Sequence, residues 1–103
     1  MKTNVMYRMA LANDVLFLNE LAGDANYPTG IELGPDGFGV VAVAEESSGF
    51  KNIGASWAMV NPQGVTAYVH VLDTYDSGEI RNQLREKLAE KAKDRNIESL
   101  DFQ

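Results

Sequence analysis

The chain has 103 residues, 45% of them apolar, a size and composition suited to one compact domain with a modest core. It carries a formal charge of −6 with no basic stripe, which disfavours nucleic acid, whose backbone needs clustered Lys and Arg. There is no cysteine, so disulfides, thiolate metal sites and cysteine nucleophiles are excluded, and no apolar run approaches the roughly 20 residues of a membrane helix. The segment Met1-Lys-Thr-Asn-Val-Met-Tyr-Arg8 also lacks the apolar stretch of a signal peptide, so a soluble cytoplasmic protein with no membrane partner is expected.

In chain order, Asn4–Met9 alternates loosely and predicts a first strand. Asn13 is placed to cap a helix through Val15, Leu16, Phe17, Leu18 and Leu21 that ends at Gly23. Residues 23–37 are dense in Gly, Pro, Asn and Asp and form the one long irregular segment, a length more typical of functional loops. Three β-rich runs follow at 38–45, 52–61 and 65–73, joined by the turns 46–51 and 62–64, and predict an antiparallel meander. From 78 to 95, Ile80, Leu84, Leu88 and Ala92 recur every fourth residue and give a helix one buried stripe. This helix holds six bases against four acids, while the rest of the chain is acidic. Asn96 suits the left-handed residue after the helix, and Ile97–Phe102 predicts a last strand parallel to 65–73.

The order β-α-loop-β-β-β-α-β, with AYVHVLDTYDSGEIRNQL leading into LAEKAKDRNIESLDFQ, resembles the GNAT superfamily of acetyl-CoA-dependent N-acetyltransferases. The likeness in element order runs from about residue 4 to 103 and is closest over 67–102. It implies an α/β mixed sheet whose strand 65–73 parts from its neighbour, so that the pantetheine arm of the cofactor pairs with the exposed backbone. Val71 and Asp73 would offer that backbone, and the pyrophosphate would sit at Ser77, Gly78, Ile80 and Arg81, on the N-terminus of the helix. His70 would be the catalytic base, because imidazole titrates near neutrality and the strand borders the cofactor cleft.

The resemblance also carries departures. Family members grip the pyrophosphate with a Gln/Arg-x-x-Gly-x-Gly/Ala loop, and here Asp76, Glu79 and Arg81 stand at its three defined positions. At an effective dielectric near 20, a carboxylate about 6 Å from a phosphate charge costs roughly 3 kcal/mol before screening. The family's further strand, helix with a Tyr general acid, and closing strand are not in this sequence, which predicts a short member with an open edge at 97–102. Such edges are usually covered or paired in trans, which predicts a homodimer. Two functions are therefore set side by side. One is an acetyltransferase-like protein that binds acetyl-CoA, or another acyl-CoA, and acetylates a small-molecule amine; the other is a non-catalytic GNAT-like module for dimerisation or partner binding.

Other residues admit a functional and an ordinary reading. His70 is either the base or a hydrogen-bonded residue beside Tyr68 and Leu72 on one sheet face. Glu45 and Glu46 either act on an amine through water or are simply solvated. Tyr27 and Glu32 either line an acceptor pocket or belong to a surface loop. Trp57 and Met59 are either core or the wall of a groove. As the one histidine, His70 leaves a zinc site short of its usual ligands, so no metal is expected.

Overall fold

The computed structural model describes residues 4–103; the first three residues of the polar N-terminal segment lie outside the described ones. Strand β1 (Asn4–Met9) leads through a 3₁₀ turn at Ala12–Asp14 into α1 (Val15–Asp24). Strands β2 (Gly37–Glu46), β3 (Gly49–Asn61) and β4 (Gly64–Val71) follow, then a second 3₁₀ turn at Asp73–Tyr75, α2 (Gly78–Asp94) and β5 (Asp101–Phe102). The sheet order is β1-β2-β3-β4-β5, with three antiparallel pairings and a parallel last one. The α/β mixed sheet, its element order and the parallel closing strand are as the sequence predicts.

The two helices cover opposite faces, and β2 shows why. Phe38, Val40, Ala42 and Ala44 pack with Leu84, Leu88 and Ala92 of α2, whereas the alternate Val41 and Val43 pack with Leu18, Leu21 and Ala22 of α1. A strand buried on both faces reads as a continuous apolar run, which is what this one is. On β3, Ser56 lies fully buried and its hydroxyl donates to the Leu84 carbonyl at 2.9 Å, tying the sheet to the middle of α2. A bulge interrupts the β2–β3 ladder, where Ala42 faces Gly54 but Val43 faces Asn52, so Ile53 is the extra residue. Gly54 is required beside it: a Cβ there would lie 3.0 Å from both the His70 carbonyl oxygen and Val71 Cγ2.

The entrance to α1 differs from the expected Asn13 cap. No side chain caps α1; the Asp14 carboxylate instead reaches back across the 3₁₀ turn, accepting from the Leu11 amide at 2.8 Å and from Arg8 Nη1 and Nη2 at 2.7 and 2.9 Å. A carboxylate can serve the backbone and a guanidinium fork together, which the Asn13 amide cannot. The exit differs too. Gly23 stays within the helix, and Asn26 takes the left-handed conformation at φ 59°, with the Tyr27 amide donating back to the Ala22 carbonyl at 2.8 Å. The same device closes α2, where Asn96 has φ 62° and the Ile97 amide reaches the Ala92 carbonyl at 2.9 Å, as expected.

The last strand is shorter than predicted, two residues in place of 97–102. Ile97 and Leu100 pack against the α2-side core, so their apolar side chains draw this segment under the helix end instead of along β4. The long loop after α1 is held from both sides. Asn19 Oδ1 accepts from the Gly30 and Ile31 amides at 2.7 and 3.0 Å, and Arg95 donates to the Gly34 carbonyl at 2.9 Å while lying 4.7 Å over the Phe38 ring.

The Asp14 carboxyl is only 4% exposed and is held below the usual aspartate range, chiefly by its hydrogen bonds from Arg8. A depressed folded pKa adds stability above the unfolded value of roughly 3.9 and loses it as pH falls through the folded one. Asp14→Ala is therefore expected to destabilise by about 2 kcal/mol at pH 7, the cost of a lost cap and an orphaned guanidinium. Urea unfolding should show the gap between wild type and variant narrowing below pH 4.

Candidate functional site

The site forms where β4 ends, because β4 and β5 touch at only two register pairs, Thr66 with Asp101 and Ala67 with Phe102. The Gln103 amide donates to the Ala67 carbonyl at 2.9 Å, so the backbone of residue 67 faces this side of the strand. Strand backbone direction alternates with period two, so Val69 and Val71 present N–H and C=O to the same side, beyond the last β5 pair. Arg81 reaches into this gap, its Nη1 lying 3.5 Å from the Val69 carbonyl oxygen.

The segment from Asp73 to Gly78 turns the chain from that strand end into α2. The 3₁₀ turn is anchored by Tyr75, whose hydroxyl donates to Glu46 and whose ring has Lys51 Nζ 5.5 Å from its centroid. Glu46 pushes the Tyr75 hydroxyl pKa up and serves as an anchor of the turn. Ser77 is the cap of α2, its Oγ accepting from the Ile80 amide at 3.1 Å. The amides of Gly78 and Glu79 meet no acceptor among the described residues, and a Cβ on Gly78 would find open space. The mouth of the helix thus keeps two donors free beside a residue without a side chain.

The acids of the loop do not act together. Asp76 is bound by Arg81 in a two-point pair, Nε to Oδ1 at 2.7 Å and Nη2 to Oδ2 at 2.9 Å. That hydrogen bonding holds the Asp76 carboxyl low, with His70 contributing less, and it raises the Arg81 guanidinium. Glu79 turns the other way and lines a cleft with Asn4, Val5 and Tyr7, at the far edge of the sheet from β5. Asp73 lies in the 3₁₀ turn past the end of β4, and its charge falls on Arg81. The predicted repulsion at this helix start is relieved in part: Asp76 is paired with Arg81, while Glu79 lines a cleft on the β1 side together with Ser77 and Ile80.

His70 and Tyr68 point to the α1 face of β4, half-buried, and the His70 side chain makes no hydrogen bond among the described residues. Beside them Tyr27 of the long loop meets Tyr68 at 4.9 Å between centroids and Trp57 at 6.2 Å, while Trp57 stacks on Tyr68 at 5.7 Å. Trp57 is fully buried and so is core, and Met59 is partly buried against the same cluster. Glu32 is exposed, whereas Tyr27 faces the sheet and its hydroxyl donates to the Gln103 carbonyl at 3.4 Å.

Solved structures share this fold over nearly the whole of the chain. Aminoglycoside N-acetyltransferase AAC(6')-Iy, crystallised in complex with CoA, matches 100% of this chain and 78% of its own length with a TM-score of 0.71 at 11% identity. A ribosomal-protein-alanine N-acetyltransferase from Brucella melitensis biovar Abortus 2308 matches over 96% and 79% of the two chains (TM-score 0.67, 14% identity). Glucosamine-6-phosphate N-acetyltransferase from Arabidopsis thaliana matches over 97% and 82% (TM-score 0.64, 15% identity). The fold is that of the GNAT acetyltransferases. No family model matches the sequence, and no curated protein matches it.

Within the GNAT fold, the structure brings Val71, Ser77, Gly78, Ile80 and Arg81 around one strand end and helix start, with His70 on the opposite face of that strand. Sequence reasoning missed Ser56 under α2 and misjudged the roles of two residues it had singled out: Glu46, which accepts from Tyr75, and Asp76, which pairs with Arg81. Only the last left a signal, an acid and a base five residues apart across a helix start.

Because the Asp76–Arg81 pair is solvent-accessible, it contributes little to stability. Asp76→Asn is expected to change unfolding free energy by less than about 1 kcal/mol. Ser77→Ala, which removes a helix cap, should cost about 1 kcal/mol. Thermal unfolding of the two variants side by side checks this ordering.

Proposed function

We propose that this protein binds an acyl-CoA thioester, with acetyl-CoA as the first candidate, and transfers the acyl group to a small amine. The observation that carries this reading is the unpaired β4 edge at Val69 and Val71 lying next to an α2 N-terminus with free amides and an arginine between them. It is supported by the shared fold of N-acetyltransferases, one of them crystallised with CoA.

The residues present fit such a coenzyme. Val69 and Val71 would pair with the pantetheine amides, and the Gly78 and Glu79 amides would donate to phosphate oxygens at the positive end of the helix dipole, next to Ser77 and Ile80. Arg81 would hold phosphate with the same two-point geometry it now uses for Asp76, since a guanidinium fork matches both groups. Asp76 then has to yield, at a cost no larger than that of an exposed ion pair.

When bound, acetyl-CoA supplies a thioester carbonyl open to attack. His70 would take the proton that an incoming ammonium must lose, directly or through water, to free the nitrogen lone pair for the thioester carbon; the second nitrogen proton would pass to the departing thiolate sulfur, so that an amide and a free thiol result. Tyr27 and Tyr68 form the wall on the acceptor side. Self-association belongs to the same reading.

Calorimetric titration with acetyl-CoA is expected to show a Kd below about 100 μM, and 1 mM ligand should then raise stability by roughly 1.4 kcal/mol. Arg81→Ala should weaken binding at least about fivefold and Asp76→Asn should tighten it, the reverse of what loop repair by packing would give. His70→Gln should leave binding intact and remove transfer to amine acceptors. If neither wild type nor Asp76→Asn responds to acetyl-CoA, the cofactor assignment fails.

A further inference from the structure

The cleft that Glu79 lines is a second concavity, separate from the gap beside β4. It encloses about 550 Å³ between β1 and the start of α2, with Val5, Tyr7, Tyr75, Glu79, Ile80 and Gln83 on its walls. Val5, Tyr7, Tyr75 and Ile80 pack on the α2-side core, whereas His70 shares the opposite face with Tyr68 and Leu72, and β2 and β3 stand between β1 and β4. A molecule in this cleft is therefore not the acceptor on which His70 acts.

Of the residues lining the cleft, Glu79 alone is charged. The ion pairs among the described residues are Arg8–Asp14 and Arg81–Asp76, so the Glu79 carboxylate belongs to neither. Its field crosses the cleft: burial first, and then the Glu79 charge, raise the Tyr7 hydroxyl above the ordinary tyrosine range. Lys51, whose Nζ lies 5.5 Å from the Tyr75 ring centroid, does not line the cleft, and the Tyr75 hydroxyl is already occupied by Glu46. A lone anion among two tyrosines, an amide and two aliphatic side chains suits a cation on a short apolar stem. An ammonium brings three donors, enough for the Glu79 carboxylate, the Gln83 amide oxygen and the Tyr7 hydroxyl oxygen, and aromatic rings favour a cation beside them. A divalent metal fits less well, because no group of three His, Cys, Asp or Glu side chains gathers among the described residues.

Glu79 also belongs to the mouth of α2, where its own backbone amide is one of the two free donors. Asp76 is paired, so the Glu79 carboxylate is the unneutralised charge closest in sequence to those donors. We propose that the β1–α2 cleft binds a small primary amine as its ammonium, and that the bound cation strengthens acyl-CoA binding by neutralising Glu79. The second half rests on the acyl-CoA reading above; the first does not. Coupling of this kind is reciprocal, so acetyl-CoA tightens the amine by the same factor.

The probe is n-butylammonium chloride, with n-butanol for the uncharged stem and sodium chloride for the salt. Without acetyl-CoA, butylammonium should shift the backbone amide resonances of Tyr7, Glu79 and Gln83 with a Kd on the order of millimolar, and neither control should. At saturating butylammonium the calorimetric Kd for acetyl-CoA should fall about fivefold against the matched salt. Glu79→Gln should abolish the amide shifts and tighten acetyl-CoA in the absence of amine. Gln83→Lys, which sets an ammonium four residues after Glu79 where the two side chains meet on the helix, should mimic the amine and remove the response to it. Shifts that are absent, that sodium chloride reproduces, or that persist in Glu79→Gln would overturn the amine site. An acetyl-CoA Kd that ignores bound butylammonium would overturn the coupling. Amide shifts with no acetyl-CoA binding under any condition would uphold the cleft as an amine site and refute the cofactor reading, and the coupling with it.

Discussion

The parting of β5 from β4 is the constraint on which the rest of this structure turns. A parallel strand that pairs for two residues and then diverges leaves backbone donors and acceptors of β4 without a ladder, next to the start of α2. Buried backbone groups need partners, so such a gap persists only where water, a side chain or a ligand can satisfy them. In this protein a side chain does so in part, Arg81 approaching the Val69 carbonyl while its other nitrogens hold Asp76. The cap on Ile80, the anchored Tyr75 and the small residue at 78 all arrange the chain around this opening.

Two arginine–aspartate pairs, similar in geometry, have different consequences. Arg8–Asp14 closes on a carboxylate that is almost fully buried and also caps a turn, so it fixes how the chain passes from sheet to helix. Arg81–Asp76 lies at the surface, where water competes for both partners, so it is exchangeable. Burial, and not the bond lengths, separates a structural pair from one that can be traded for another anion.

Much of the fold was legible because its signals are local and periodic. The four-residue repeat of Ile80, Leu84, Leu88 and Ala92 located α2, the doubly buried run of β2 located the middle of the sheet, and Asn96 marked the end of α2. The misreadings were settled by tertiary contacts that no local pattern records. The entry to α1 is fixed by Asp14, which bonds Arg8 of β1 and the Leu11 amide, and not by a cap at Asn13, and Ile97 and Leu100 were drawn to the α2-side core and away from the ladder. The end of β4 and the start of α2 were legible in position and not in electrostatic state. Asp76 and Glu79 look alike in the sequence, yet one is paired and the other faces β1.

The single tryptophan sits at the back of the aromatic group formed with Tyr27 and Tyr68, fully buried on the same sheet face as His70. Tyr27 belongs to the long loop and the other two rings to the sheet, so a swing of that loop alters the surroundings of Trp57 and Tyr68 together. The molecule thus carries a built-in optical reporter, with ultraviolet emission from one indole free of overlap from any other. Changes in its colour would follow movement of the long loop without a label.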